Sequence, residues 1–326
     1  MEQQKSVSDR LSSEQSAVRA AALAELLQSG TDASPHMNAL ASCLNDPLED
    51  LRIPALVLLG RIGAPAADYF QAALDPQQPA SIRAVAAAVI AGIGPPAAAC
   101  VRGLCRCLTS DDENLRNAAS IALAKIGEPA VSSLRIMLQF SIPETVAVSV
   151  ESLAMIGRPA AAAVPELDAL AARSPIQLQL ACAAAISSLT GDAARGLPIL
   201  TNALVSPEPL VRKTAAEKIA LLGNLAHPSI PNLLRCTADP DEAVRAAAVL
   251  TLGRIRAPHD QTLSILISRL SDPAADVRYA AAVVLASYGA NARPSLPNLR
   301  ACLQDPVEKV AKCAAGAVEK IESPPA

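Results

Sequence analysis

Apolar residues return along this chain in a helical rhythm, and the rhythm itself repeats. Val277, Ala280, Ala281, Val284, Leu285 and Tyr288 fall three and four apart, which gathers them on one face at 3.6 residues per turn. Asp272-Pro273 ahead of this run predicts an N-cap followed by a first-turn proline, and Gly289 behind it predicts a left-handed stop. A second, shorter helix is predicted from Ser295-Leu296-Pro297, with Leu296, Leu299, Cys302 and Leu303 turned inward before Asp305-Pro306 starts the cycle again.

The same phrase occurs ten times. A β-branched or leucine residue followed by arginine opens an alanine-rich stretch at Val18-Arg19, Leu51-Arg52, Ile82-Arg83, Leu115-Arg116, Val211-Arg212, Val244-Arg245 and Val277-Arg278. Thr145-Val146, Leu178-Gln179 and Val310-Ala311 hold the same place without the guanidinium. Successive slots are 33, 31, 33, 30, 33, 33, 33, 33 and 33 residues apart, the mark of a true internal repeat. Glycine falls 11 residues after the slot at Gly30, Gly63, Gly94, Gly127, Gly157, Gly223 and Gly289, and proline 13 after it at Pro65, Pro96, Pro129, Pro159 and Pro258. This punctuation predicts two helices per repeat. At the helix starts, Ser110 to Glu113 fits an S-x-x-E capping box, and Asp46, Asp239 and Asp305 each have a glutamate three residues later, so these acids are expected to cap helices and not to form catalytic pairs.

A unit of about 33 residues with Asp-Pro, an apolar-arginine pair six residues on, alanines and then Ile-Gly resembles the HEAT repeat, in its short bacterial form the phycobilisome-lyase-like repeat. Asp46 and Arg52, Asp239 and Arg245, Asp272 and Arg278 carry the resemblance, with Ile62-Gly63, Ile93-Gly94, Ile126-Gly127 and Ile156-Gly157 closing first helices. It implies an all-α, right-handed α-solenoid, an armadillo-type superhelix of about ten two-helix repeats. It also implies an aspartate-arginine ladder along the stack, which would make Arg52, Arg83, Arg116, Arg212, Arg245 and Arg278 structural. Because Val146 and Gln179 lack the guanidinium, the ladder is expected to break in the fifth and sixth copies, with the most irregular packing between about Phe140 and Gly191. The expected organisation is a polar tail over residues 1–12, a single solenoid over 13–321 and a short tail over 322–326.

Composition supports a helical repeat and narrows the chemistry. Hydrophobic residues make up 51% of the 326-residue chain and the net charge is −3; no basic stripe or acidic tail suggests nucleic acid. No tryptophan, three tyrosines and two phenylalanines leave little for gripping bases, so the glycosylase activity of some HEAT-like proteins is not expected. The alanine-rich runs are broken well short of a membrane span, and the polar start does not read as a secretory signal, so a soluble cytoplasmic protein is expected. Four of the eight cysteines, Cys43, Cys107, Cys236 and Cys302, share one slot nine residues before the arginine position. That places them in different layers of the stack, as buried thiols and not as disulfides or a metal site. The three histidines are followed by Met37, Pro228 and Asp260, so the His-Glu pairs of the HEAT-like deoxyhypusine hydroxylases are missing. No catalytic set, cofactor or metal is predicted.

The predicted function lies on the second helices, which in such stacks line a concave binding surface. Arg102, Arg106, Arg135, Asn202, Asn232, Arg235, Arg269, Asn298 and Arg300 are the polar second-helix residues with no packing duty in the repeat, and form the candidate binding set. Arginine there suits carboxylates and peptide backbone. The expectation is a monomeric, non-enzymatic scaffold or adaptor for a protein or peptide. The alternative, implied by the resemblance, is a phycobilin-lyase-like factor or enzyme subunit that handles a tetrapyrrole on a partner protein.

Overall fold

The computed structural model describes residues 6–323. Among these the chain is all α, a HEAT-type solenoid of paired helices with no strand. Ten long helices each carry one arginine slot: Ser16–Ser29, Glu49–Ile62, Ala80–Ile93, Glu113–Ile126, Pro143–Ile156, Ile176–Thr190, Pro209–Ala220, Glu242–Arg254, Ala275–Ser287 and Glu308–Glu322. Short helices such as Val101–Cys107, Val131–Met137, Leu197–Ala203 and Ile230–Cys236 alternate with them, most reached through a 3-10 turn that begins at or just after the glycine. The eighth repeat differs, because its second helix His259–Arg269 starts directly behind Pro258.

The chain divides into two compact units, Met1–Glu166 and Leu167–Ala326. In the first unit, Ala80–Ile93 packs along Glu113–Ile126, with the fully buried Ile82, Ala86, Ile90, Leu115, Ala119 and Leu123 in its core. Within the second, Pro209–Ala220, Glu242–Arg254, Ala275–Ser287 and Glu308–Glu322 pack in sequence. Alanine dominates these contacts because a methyl is all that fits where helices approach closely. At Gly253 even a methyl is too large: an added Cβ would lie 2.7 Å from Val284 Cγ2.

Sequence expectations fail in informative ways at the helix boundaries. Residues 7–11, expected within a polar tail, form the helix Val7–Leu11, opened by a capping box in which Ser6 and Asp9 exchange side-chain bonds, and Leu11 is 1% exposed. At the other end, Glu322 completes the last helix and Ser323 follows it as the C-cap, while the remaining residues of the expected tail, 324–326, lie outside the described residues. Asp46, Asp239, Asp272 and Asp305 are not helix caps. Each accepts the backbone N–H two residues on, at 2.9 to 3.0 Å, as a turn ahead of the helix. Caps are formed instead by Asp112, bonded to the Leu115 N–H, and Asp241, bonded to those of Ala243 and Val244. Of the residues expected inward in the ninth repeat, Leu303 is 39% exposed.

Glycine closes helices here in two ways. Gly30 takes the expected left-handed conformation, φ 63° and ψ 12°. Gly63, Gly94, Gly127 and Gly157 combine φ of 73° to 80° with ψ of −133° to −140°, a region close to one that only glycine visits freely. The turn this makes sends the chain into the proline-containing 3-10 segment that starts the second helix.

Candidate functional site

The recurring arginine is a structural rung. Arg212 Nε and Nη2 donate to both oxygens of Asp239 at 2.7 Å, while its Nη1 donates to the carbonyls of Ser206 and Pro207 at 2.8 and 3.0 Å. Arg245 with Asp272 and Arg278 with Asp305 repeat this geometry one and two units on, and Arg19 with Asp46 does so near the start. Each guanidinium thus ties the turn before its own helix to the aspartate 27 residues ahead, in the next turn, through charge-assisted bidentate bonds. The Arg19 bond holds the Asp46 carboxyl below its ordinary range. For Asp239 and Asp272 burial pushes upward, but the arginine and backbone bonds prevail and the net shift is also downward.

Rungs are missing over a longer stretch than the arginine count predicts. Arg52 finds the Gln78 amide oxygen at 2.7 Å in place of an aspartate. Arg116 keeps only the carbonyls of Ser110 and Asp111, and Arg83 Nε is buried without a partner. Polar side chains occupy the core beside the fifth slot: Thr145 donates to the Leu108 carbonyl at 3.2 Å, and Ser120 and Ser152 bond to each other at 2.8 Å. In the sixth repeat Gln179 reaches the Ser174 carbonyl at 2.9 Å, and Ser206 stands where its aspartate would be.

The two residues of this vacant rung line the first of two adjoining grooves in the second unit. Gln179 and Ser206 line a space of about 660 Å³ together with Ile176, Ile199, Asn202 and Val205. Val205 is 64%, Ile199 45% and Ile176 36% exposed, so three bulky apolar side chains share one groove. A second groove of about 540 Å³ shares Val205 and Ser206 and continues past Asn232, Arg235 and the Arg212–Asp239 rung. Asp239 is neutralised by Arg212, so the exposed Arg235, held by the Asn232 amide oxygen at 2.7 Å, supplies the free charge. The pair of grooves offers apolar contact at one end and a cation at the other.

The structure brings together three of the nine predicted binding residues, Asn202, Asn232 and Arg235, in these grooves. Arg102 and Arg106 are exposed on Val101–Cys107, which belongs to the first unit. Arg135 is committed to Glu166, Arg269 to the Thr237 carbonyl and Asp272, and Arg300 to Glu322. Asn298 lies half-buried in Leu296–Ala301. Sequence reasoning passed over Ile176, Ile199 and Val205. Its one usable signal was the absent arginine at Gln179, paired with serine at position 206.

The cysteines pack as apolar groups with one bond apiece in several copies. Cys43, Cys236 and Cys302 donate to the carbonyls of Leu11, Leu204 and Leu270 at 3.6 to 3.8 Å, each 32 residues back. Among the described residues all eight are free thiols, seven buried and Cys313 partly so. Burial pushes the Cys100 and Cys105 thiols up to about 11 and Cys182 to about 12. No group of histidine, cysteine and acidic residues suited to a metal occurs among the described residues, and no helix there is long and apolar enough to cross a membrane.

Comparison with known families matches the HEAT-repeat model over residues 68–154 and 197–286, more than half of the chain. The chain belongs to the HEAT-repeat proteins. Among solved structures, an engineered protein is 20% identical, with 97% of this chain and 98% of that chain covered and a TM-score of 0.42. Human deoxyhypusine hydroxylase, solved in complex with glycerol, is 22% identical over 82% of this chain and 99% of that one, with a TM-score of 0.37. No curated protein matches the chain.

Proposed function

We infer that this protein is a non-enzymatic interaction scaffold that binds an extended segment of a partner protein along the second-helix side of the second unit. One observation carries this reading: the exposed Ile199 and Val205 line a groove that adjoins, through Val205 and Ser206, the groove lined by Arg235. A segment with bulky apolar residues followed by a carboxylate complements it, since apolar burial supplies affinity and the guanidinium fixes register. HEAT arrays present surfaces of this kind because neighbouring repeats leave grooves between their second helices.

The test is quantitative recovery of bound proteins by wild type, Val205→Asp, Arg235→Glu and, as a control, Arg106→Glu in the other unit. The first two variants are expected to lose at least tenfold in recovery of a common partner while Arg106→Glu retains it. Equal recovery by all four contradicts the groove. A stoichiometric absorbance change when the pure protein meets a bilin contradicts the non-enzymatic reading and supports a lyase-like one.

A further inference from the structure

Arg256 holds a glycine's place. Seven repeats put glycine 11 residues after the arginine slot, whereas the eighth has Arg256 there, 11 after Arg245. It adopts φ 52° and is the sole non-glycine residue with positive φ among those described. The local hydrogen bonds explain why: the Ala257 N–H reaches the Leu252 carbonyl at 2.9 Å and the Arg256 N–H reaches that of Gly253 at 3.1 Å. These two bonds make a Schellman motif, in which the position taken by Arg256 favours glycine because a Cβ is strained there. A side chain kept against that preference is a reason to look for what it does.

Arg256 lines a cavity of about 510 Å³ between the end of Glu242–Arg254, the start of His259–Arg269 and the turn after Ala275–Ser287. His259, Ser287, Tyr288 and Asn291 share its wall, and none of the lining residues carries a carboxylate. Two of the polar groups are occupied: Tyr288 Oη donates to the Ala257 carbonyl at 3.1 Å, and Ser287 Oγ to that of Val284 at 2.6 Å. The side chains of Arg256, His259 and Asn291 are exposed and make no hydrogen bond among the described residues, so their polar groups are open to this space. The rings of His259 and Tyr288 meet edge to face, 6.5 Å between centroids and inclined at 66°, and form an aromatic corner of the space.

We propose that this cavity is a binding site for a small organic anion, its carboxylate or phosphoryl group held by Arg256 and its planar part set against His259 and Tyr288. The volume lies within the range of small-molecule sites, and guanidinium with imidazole and amide donors is the chemistry that recognises an oxyanion. Binding here is independent of the grooves around Val205, which lie two repeats earlier.

Histidine-selective NMR on the full chain reads the site directly, since only His36, His227 and His259 contribute signals. Phenyl phosphate and benzoate serve as probes, with phenol as the uncharged control, and whichever anion binds more tightly identifies the preferred oxyanion. The expected result is a saturable shift of the His259 signal by at least one anion and none with phenol, together with at least a tenfold loss of affinity in Arg256→Gly. That variant restores the residue the turn favours and is expected to melt at a higher temperature than wild type. Absence of a saturable His259 shift, an equal response to phenol, or unchanged affinity in Arg256→Gly overturns the proposal. A lower melting temperature in Arg256→Gly also overturns it, because Arg256 would then serve the fold.

Discussion

Asp272 shows how much a single side chain does in this architecture. Its carboxylate is 2% exposed and accepts from Arg245 twice, from Arg269 and from the Ala274 N–H. Asp272→Ala strands a largely buried guanidinium and is expected to cost about 3 kcal/mol, measurable as a shift in the urea midpoint at constant slope. Asp75→Ala, which removes one exposed turn bond to the Gln77 N–H, is expected to cost under about 1 kcal/mol. The pH dependence has a definite sign. Asp46, Asp239, Asp272 and Asp305 are all depressed in the fold, so their contribution is complete above the ordinary carboxylate range and is lost as pH falls below it. Stability measured from pH 7 down to pH 2 is expected to drop through that acidic window. In Asp239→Asn the drop is expected to be shallower from a lower starting value.

At the scale of the helix and its ends, glycine divides into two classes that substitution separates. Gly127 has φ 80° and ψ −136°, and an added Cβ would meet nothing within 4 Å. Gly127→Ala therefore tests backbone strain alone and is expected to destabilise by about 1–3 kcal/mol. Gly316 sits inside the helix Glu308–Glu322, also with open space around it, and Gly316→Ala is expected to stabilise by about 0.5–1 kcal/mol. Thermal melts of both variants decide the matter. The sequence made the helix count and the apolar faces readable because they follow from spacing. Residues such as Val277, Ala281 and Leu285 are buried as their periodicity requires. Boundaries were less readable: an aspartate before a proline looks the same whether it caps a helix or, like Asp272, closes a turn and waits for an arginine from the preceding repeat.

For the molecule as a whole, the two units differ in how their layers are tied. The second has three consecutive rungs, Arg212–Asp239, Arg245–Asp272 and Arg278–Asp305, whereas the first has the Arg19–Asp46 rung followed by Arg52, Arg83 and Arg116 without aspartate partners. Amides of Glu242–Arg254 and Ala275–Ser287 are accordingly expected to exchange more slowly than those of Glu113–Ile126 and Pro143–Ile156. The candidate site was only partly legible in the sequence. Asn202, Asn232 and Arg235 could be picked out by helix position, but Arg135, Arg269 and Arg300 look equally free until their partners Glu166, Asp272 and Glu322 are seen in space. Val205 holds a position that is exposed in other repeats too, at Ala238, Ser271 and Gln304, so what sets this place apart is a bulky apolar side chain where the others carry small or polar ones. The most direct test of the groove places a photo-crosslinking amino acid at position 205, with position 106 in the first unit as the control. The account predicts that one partner crosslinks from position 205, that its yield falls at least tenfold when Arg235→Glu is added, and that position 106 yields none of it. Equal crosslinking from both positions, or a yield from 205 indifferent to Arg235→Glu, would contradict it.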